Sequence, residues 1–458
     1  MQNRVIGFLL VLSVVLSGTR IFAVQKLTIS DNHRYLQVED GTPFFYLGDT
    51  AWMLFHRLNR QEAEKYLQNR AEKGFTVIQA VVLAEHDGIS GPNAYGELAL
   101  KDKDPTQPNE DYFNHVDDIV DMADRFGLYI GMLPCWGKYW SENNPEQTIF
   151  TPENALIYGR FLGERYKDKP VIWILGGDHN IHTETERQTI IAMAQGLREG
   201  DGGNHLMTFH PRGPGFSSDY FHEADWLDFN MVQSSHGAHD HDNGLFIEHD
   251  YALKPFKPTL DGEPRYENIP VGFYFSGNDW KDKFTDYDCR QAAYWAILAG
   301  ACGHTFGNNS VWQMVDTNVR GVLDGRIPWH IAIDHPGADQ MTLLKHLFTV
   351  RPFHRLMPCQ SMILSGPNSG GGKIRAALAA DSSYAIIYSP RGAAFTIDKS
   401  FIKAKKRKEI WFDPRYGFSD TIHSGDTAGM QTYTPPTMGK GNDWILIIED
   451  ADLDLPMP

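Results

Sequence analysis

Eight short apolar runs that each give way to an amphipathic stretch, and a change of texture near Met357, predict an α/β protein: a (β/α)8 TIM barrel with a C-terminal antiparallel β-sandwich domain. A third observation separates the barrel from an open doubly wound sheet. Such a sheet carries a glycine-rich phosphate turn after its first strand, whereas GDTAW, Gly48 to Trp52, stands at that place here.

The first 23 residues, MQNRVIGFLLVLSVVLSGTRIFA, carry Arg4, an apolar run from Val5 to Leu16, small residues at Ser17 and Gly18, and a cleavage position after Ala23. That order reads as a signal peptide, and the run is too short to cross about 30 Å of hydrocarbon. No Cys follows it to take a lipid, so the expected location is the periplasm or the medium, with no membrane insertion after removal of the leader. Residues 24–355 form the expected catalytic barrel. Ahead of the barrel strands lies RYLQVEDGTPF, Arg34 to Phe44, whose Asp40-Gly41 turn between β-like flanks predicts a hairpin capping the barrel floor.

The barrel strands are expected in FFYLG (Phe44 to Gly48), TVIQAVV (Thr76 to Val82), LYIGMLP (Leu128 to Pro134), VIWIL (Val171 to Leu175), HLMTF (His205 to Phe209), LDFNMVQ (Leu227 to Gln233), PTLDG (Pro258 to Gly262) and GHTFG (Gly303 to Gly307). Between them lie helical patterns such as the stretch from Asp111, where Phe113, Val116, Ile119, Val120 and Ala123 recur at three- and four-residue steps. Acidic residues occupy the other positions and Gly127 ends the run, as for one helix face docked on a sheet. From 356 to 458, short alternating runs such as YAIIYSP and WILIIED between turn residues predict the sandwich.

A net charge of -16 repels phosphate backbones and argues against nucleic acid as a partner. The four Cys form no CxxC pair and no disulfide framework; they read as buried free thiols.

In a barrel of this kind the chemistry gathers at the C-terminal ends of the strands. Taken in order, those ends supply Asp49, Thr50 and Trp52; Gln79 with Glu85, His86 and Asp87; Cys135 and Trp136; Asp178, His179 and Asn180; His210; Gln233 and His236; Glu263 and Arg265; Asn308, Asn309 and Trp312. Carboxylates, amides and imidazoles suit arrays of hydroxyls, and Trp faces suit the C–H faces of a sugar. Cleavage of a glycosidic bond further requires two carboxyl groups flanking it. Asp178 and Glu263, on strands four and seven, sit across the ring from one another and are the expected catalytic pair. The expected substrate contacts are Asp49, Trp52, Gln79, Trp136, His179, Asn180, His210, His236, Asn308 and Trp312. Gly176 and Gly177 are read as letting Asp178 turn into the cleft, and Arg265 as helping to keep Glu263 ionised.

The three stretches RYLQVEDGTPFFYLGDTAW, VIWILGGDHN and DGEPRYE together resemble the large clan of retaining (β/α)8 glycosidases, and within it the bacterial proteins of glycoside hydrolase family 140. The resemblance covers nearly the whole chain after the leader, including the β domain, which is labelled collagen-binding in related proteins. It implies an apiosidase that trims pectin side chains in rhamnogalacturonan II, acting with retention, Asp178 as acid/base and Glu263 as nucleophile. Its partner would be a plant cell-wall oligosaccharide or polysaccharide. The sequence departs from the clan at one point, since Gly177-Asp178 stands where most members place Asn-Glu.

Three other readings compete with this one. SSHGAHDHDNG, with His236, His239, Asp240, His241 and Asp242, has the residue types of a metal site. Barrel metallohydrolases, however, carry His-x-His at the end of strand one, so no metal or other cofactor is expected. The second is a non-catalytic carbohydrate-binding protein, and the third an endo-β-glycanase of the same clan on another plant glycan.

Overall fold

The computed structural model describes residues 25–143, 145–425 and 429–458; the expected leader at 1–23 lies outside the described residues. Eight parallel strands build the barrel: β1 (Tyr46–Thr50), β2 (Val77–Leu83), β3 (Tyr129–Cys135), β4 (Val171–Gly176), β5 (Met207–His210), β6 (Asn230–Gln233), β7 (Thr259–Asp261) and β8 (Gly303–Phe306). Their order round the sheet is β5-β4-β3-β2-β1-β8-β7-β6. The gap between β5 and β6 is bridged by Asp228 N–H on Met207 O at 2.8 Å and by the Thr208 hydroxyl on Phe229 O at 2.7 Å. A short strand, Gly215–Phe216, lies antiparallel on β6 at this seam.

The strands match the expected runs with small displacements, and the largest consequence falls on β1. Pro43 and Phe44 belong instead to a three-stranded antiparallel sheet with Leu27–Ile29 and Leu36–Val38, so β1 starts at Tyr46 and runs on to Thr50. That small sheet turns at Asp40-Gly41 as expected, with the Asp40 carboxylate accepting from Thr42 N–H at 2.8 Å. It meets the floor of the barrel where Phe44 packs edge-on against Tyr129, the first residue of β3.

The principal helices are α1 (Arg60–Glu72), α2 (Glu110–Arg125), α3 (Pro152–Tyr166), α4 (Glu184–Asp201), α5 (Gly244–Ala252), α6 (Asp286–Leu298) and α7 (Pro336–Val350). Asn59, Thr151, Thr183 and Thr285 start α1, α3, α4 and α6 with capping boxes, satisfying amide donors that the first turn leaves without partners. In α2 the residues with helical spacing, Phe113, Val116, Ile119, Val120 and Ala123, are all buried. The fifth unit departs from expectation, its helix reduced to one turn at Ser218–Phe221.

The C-terminal domain is a six-stranded antiparallel sheet facing a three-stranded one. Alternate residues of the larger sheet serve different cores. Ala385, Ile387, Leu446 and Ile448 pack inside the sandwich, while Ile386, Tyr388, Ile445 and Ile447 pack against the barrel's Trp295, Leu298 and Phe348. Tyr388 stacks on Tyr294 of α6 at 5.0 Å. Both faces are covered, so Tyr384–Ser389 and Trp444–Asp450 are nearly continuously buried, where the alternation read from the sequence would leave one face to solvent.

Candidate active site

The turn after β4 is built from three successive residues with positive φ: Gly176 at 95°, Gly177 at 93° and Asp178 at 57°. Space as well as torsion requires the first glycine, since a Cβ there would stand 2.3 Å from His210 O. Asp is among the few residues with a side chain that visits the left-handed region readily. The Asp178 N–H donates to His210 Nδ1 at 3.2 Å. That bond assigns Nδ1 as the acceptor and leaves Nε2 carrying the proton. His210 Nε2 then faces Glu263 Oε2 at 3.1 Å.

Glu263 follows β7. Its neighbour Gly262 donates to Val232 O at 2.8 Å and accepts from Gln79 Nε2 at 3.0 Å, and Ser235 N–H donates to Glu263 O at 3.1 Å. The carboxylate is therefore held on a fixed backbone between two imidazoles, with His236 Nε2 at 3.2 Å from Oε1. Asp178, Glu263, Glu85, His86, His236 and Tyr266 share a cleft of about 310 Å³ at the strand ends, walled by Trp52, Trp136 and Trp312.

The two carboxyl groups are driven in opposite directions. Burial raises Asp178 well above the usual carboxylate range, and the negative charges of Glu263 and Glu85 raise it further against the weaker pull of Arg212 and Gln233. Burial would raise Glu263 too, but His210 and His236 outweigh it and hold that carboxyl at about 2. Glu85 is pushed up to about 7 by burial; Lys138 opposes the rise and Glu263 adds to it. One group is thus stored as an acid and its partner as an anion, the division of labour that acid/base and nucleophilic chemistry requires.

Of the expected contacts, Trp52, Trp136, His236 and Trp312 line the cleft with the two carboxyl groups, and six do not. Asp49 points outward, because β1 extends to Thr50 and alternation sends Asp49 to the helix side. There it is fully buried on Arg70 Nε at 2.7 Å and the Tyr66 hydroxyl. Gln79 lies inside the barrel, accepting from the Tyr46 hydroxyl at 3.1 Å while bracing Gly262. His179 turns onto Trp140, and Asn180 accepts from Arg212 N–H at 2.9 Å. His210 is fully buried behind the two carboxyl groups. Asn308 caps the short helix Asn309–Trp312 and donates to Glu267.

Arg265 does not serve Glu263 either. It faces Gln291 at 2.8 Å and the backbone oxygens of Asp288 and His241, over the Trp295 ring. The histidines do the work expected of it. The His-rich loop fans out: His239 lies between Asp282 and Asp288, Asp240 meets Arg391, and Asp242 meets Arg375. Among the described residues no group of three or more His, Cys, Asp or Glu is arranged for a metal ion.

The buried Asp49–Arg70 pair gives a prediction opposite to that for a substrate contact. Asp49→Ala strands a guanidinium in the protein interior, at an expected cost of about 3–5 kcal/mol. Denaturant melts should show this loss of stability, while KM measured on the folded fraction stays unchanged.

Comparison with known proteins bears on the fold and on the class of enzyme. Residues 30–355 match the family model described as "Apiosidase-like, catalytic domain", and residues 357–449 match "Putative collagen-binding domain of a collagenase". A solved structure described as a glycoside hydrolase is 36% identical, with a TM-score of 0.85, over 93% of this chain and 97% of its own. A glycoside hydrolase family 5 protein from Bacteroides vulgatus is 33% identical, with a TM-score of 0.84, over 94% of each chain. A family 5 mannosidase from Rhizomucor miehei, 13% identical with a TM-score of 0.50 over 71% of this chain and 99% of its own, shares the barrel fold alone. No match was found among curated proteins. The chain belongs to the family of apiosidase-like catalytic domains, and it is a glycoside hydrolase.

Proposed function

We propose that the protein is an exported, retaining member of glycoside hydrolase family 140 that removes apiose from the side chains of rhamnogalacturonan II in plant pectin. The observation that carries the mechanism is a single cleft holding two carboxyl groups in opposed surroundings, Asp178 buried among acidic neighbours and Glu263 set between two imidazoles. Asp178 gives its proton to the glycosidic oxygen as the bond to the anomeric carbon breaks. Glu263 attacks that carbon from the other face, forming a glycosyl ester. Asp178, now ionised, takes a proton from water, which hydrolyses the ester and regenerates both groups. His210 and His236 keep Glu263 anionic between turnovers.

The apiosidase-like family match supports apiose as the sugar, and the cleft is consistent with it. Its volume is at the low end of the roughly 300–1,000 Å³ of small-molecule sites, which favours removal of one terminal sugar over cutting within a chain. Three indole walls offer faces for the C–H side of a compact ring. The leader read at residues 1–23 supports export. Incubation with apiose-bearing pectic oligosaccharides should release free apiose and leave the remaining chain at full length. A ladder of fragments, or release of a different sugar only, would overturn the assignment.

The pH profile supplies a further prediction. Glu85 raises Asp178 by its negative charge, so Glu85→Gln lowers the Asp178 pKa, and the acid is then lost at a lower pH. The basic limb of kcat/KM should move down by about one pH unit. An unmoved limb would detach Glu85 from the acid.

A further inference from the structure

An ion-paired seam joins the C-terminal domain to the barrel beside β6. Arg375, fully buried in the larger sheet of the sandwich, sets Nη2 at 2.9 and 2.8 Å from the two Asp242 oxygens. Lys373 Nζ adds a third contact at 2.8 Å. Arg391 Nη2 donates to Asp240 at 2.6 Å, and Lys440 Nζ stands 3.2 Å from His239 Nδ1 and 3.4 Å from Asp288. The backbones are fitted to these pairs. A Cβ on Gly371 would fall 1.9 Å from Asp240 Oδ1, and one on Gly244 would fall 2.4 Å from the Arg375 guanidinium carbon. His239, Asp240 and Asp242 lie within six residues of His236, which touches Glu263.

We propose that the C-terminal β domain is a positioning element of the active site, clamping the loop after β6 through Asp240 and Asp242 so that His236 stays on Glu263. The inference rests on Glu263 being the nucleophile. Glu263 is faced by His210 from β5, His236 from the clamped loop, Asp178 after β4, Glu85 after β2 and Tyr266 from its own segment. Of these, His236 alone is carried by the segment that the C-terminal domain holds. Slackening the clamp removes one of the two donors that keep the carboxylate acidic. The acidic limb of kcat/KM then climbs, because Glu263 is protonated at a higher pH.

The test uses the full chain with Arg391→Ala, Arg391→Lys and Arg375→Met, recording pH profiles, kcat, KM and thermal melts. Asp240 is exposed and Arg391 half-buried, so breaking their pair leaves the fold intact. Arg391→Ala should nonetheless raise the acidic limb by about one pH unit, and Arg391→Lys should restore it. Arg375→Met should add a roughly tenfold fall in kcat with KM within about twofold. If Arg391→Ala keeps the wild-type acidic limb, the clamp is overturned, whether or not Arg375→Met folds. A lower melting temperature with an unmoved limb would mark the seam as structural only. Activity in Glu263→Gln would instead overturn the nucleophile assignment, so the two failures are distinguishable.

Discussion

Glu263→Gln is expected to lower turnover by roughly three to five powers of ten on any natural linkage, with substrate still binding. The amide is nearly the same shape as the carboxylate and can still face His210 and His236, so the cleft keeps its form. What it lacks is the negative charge that forms the bond to the anomeric carbon. No nearby group substitutes for it: Asp178 is held protonated and Glu85 is raised to about 7. Binding of a substrate fragment to the inactive variant, measured by calorimetry, should stay within about an order of magnitude of wild type. A variant that keeps a tenth of wild-type turnover would remove Glu263 from the mechanism.

Asp178→Asn is the second large effect, and its signature depends on the leaving group. On a natural sugar linkage the departing oxygen needs a proton, and a loss of about three powers of ten or more is expected. On an aryl glycoside whose phenolate leaves unaided, the first step should survive. Hydrolysis of the glycosyl ester then becomes slow, because the base that activates water is gone. A rapid burst of phenol, close to one equivalent of enzyme, followed by a slow steady rate is the expected trace. Equal losses on both substrates would show that Asp178 is not the proton donor.

The barrel was legible because each strand is buried on both sides and each helix carries its apolar stripe, and both signals are local. Asp178 and Glu263 stand out in the sequence because each lies two residues beyond the end of a strand, the fourth and the seventh. Asp49 was misread for a reason equally local. The first strand runs two residues further than its apolar run suggests, and the extra residues restore alternation, sending Asp49 outward onto Arg70. Tyr266, Phe273 and Leu323, which line the cleft, come from irregular segments with no periodicity to mark them. Glu85 was visible among three adjacent polar residues, and nothing in their spacing chose between them. The Asp242–Arg375 pair spans 133 residues, beyond any local pattern.

The left-handed turn that carries Asp178 has a bearing on how this lineage can change. Asn shares Asp's tolerance of that backbone region, whereas a longer acid there would meet steric cost of about 1–2 kcal/mol. The smallest chemical edit that silences the proton donor therefore leaves the scaffold undisturbed. Loss of cutting without loss of the fold is thus one substitution away, while a glutamate at the same position must carry that torsional cost or a rearranged turn.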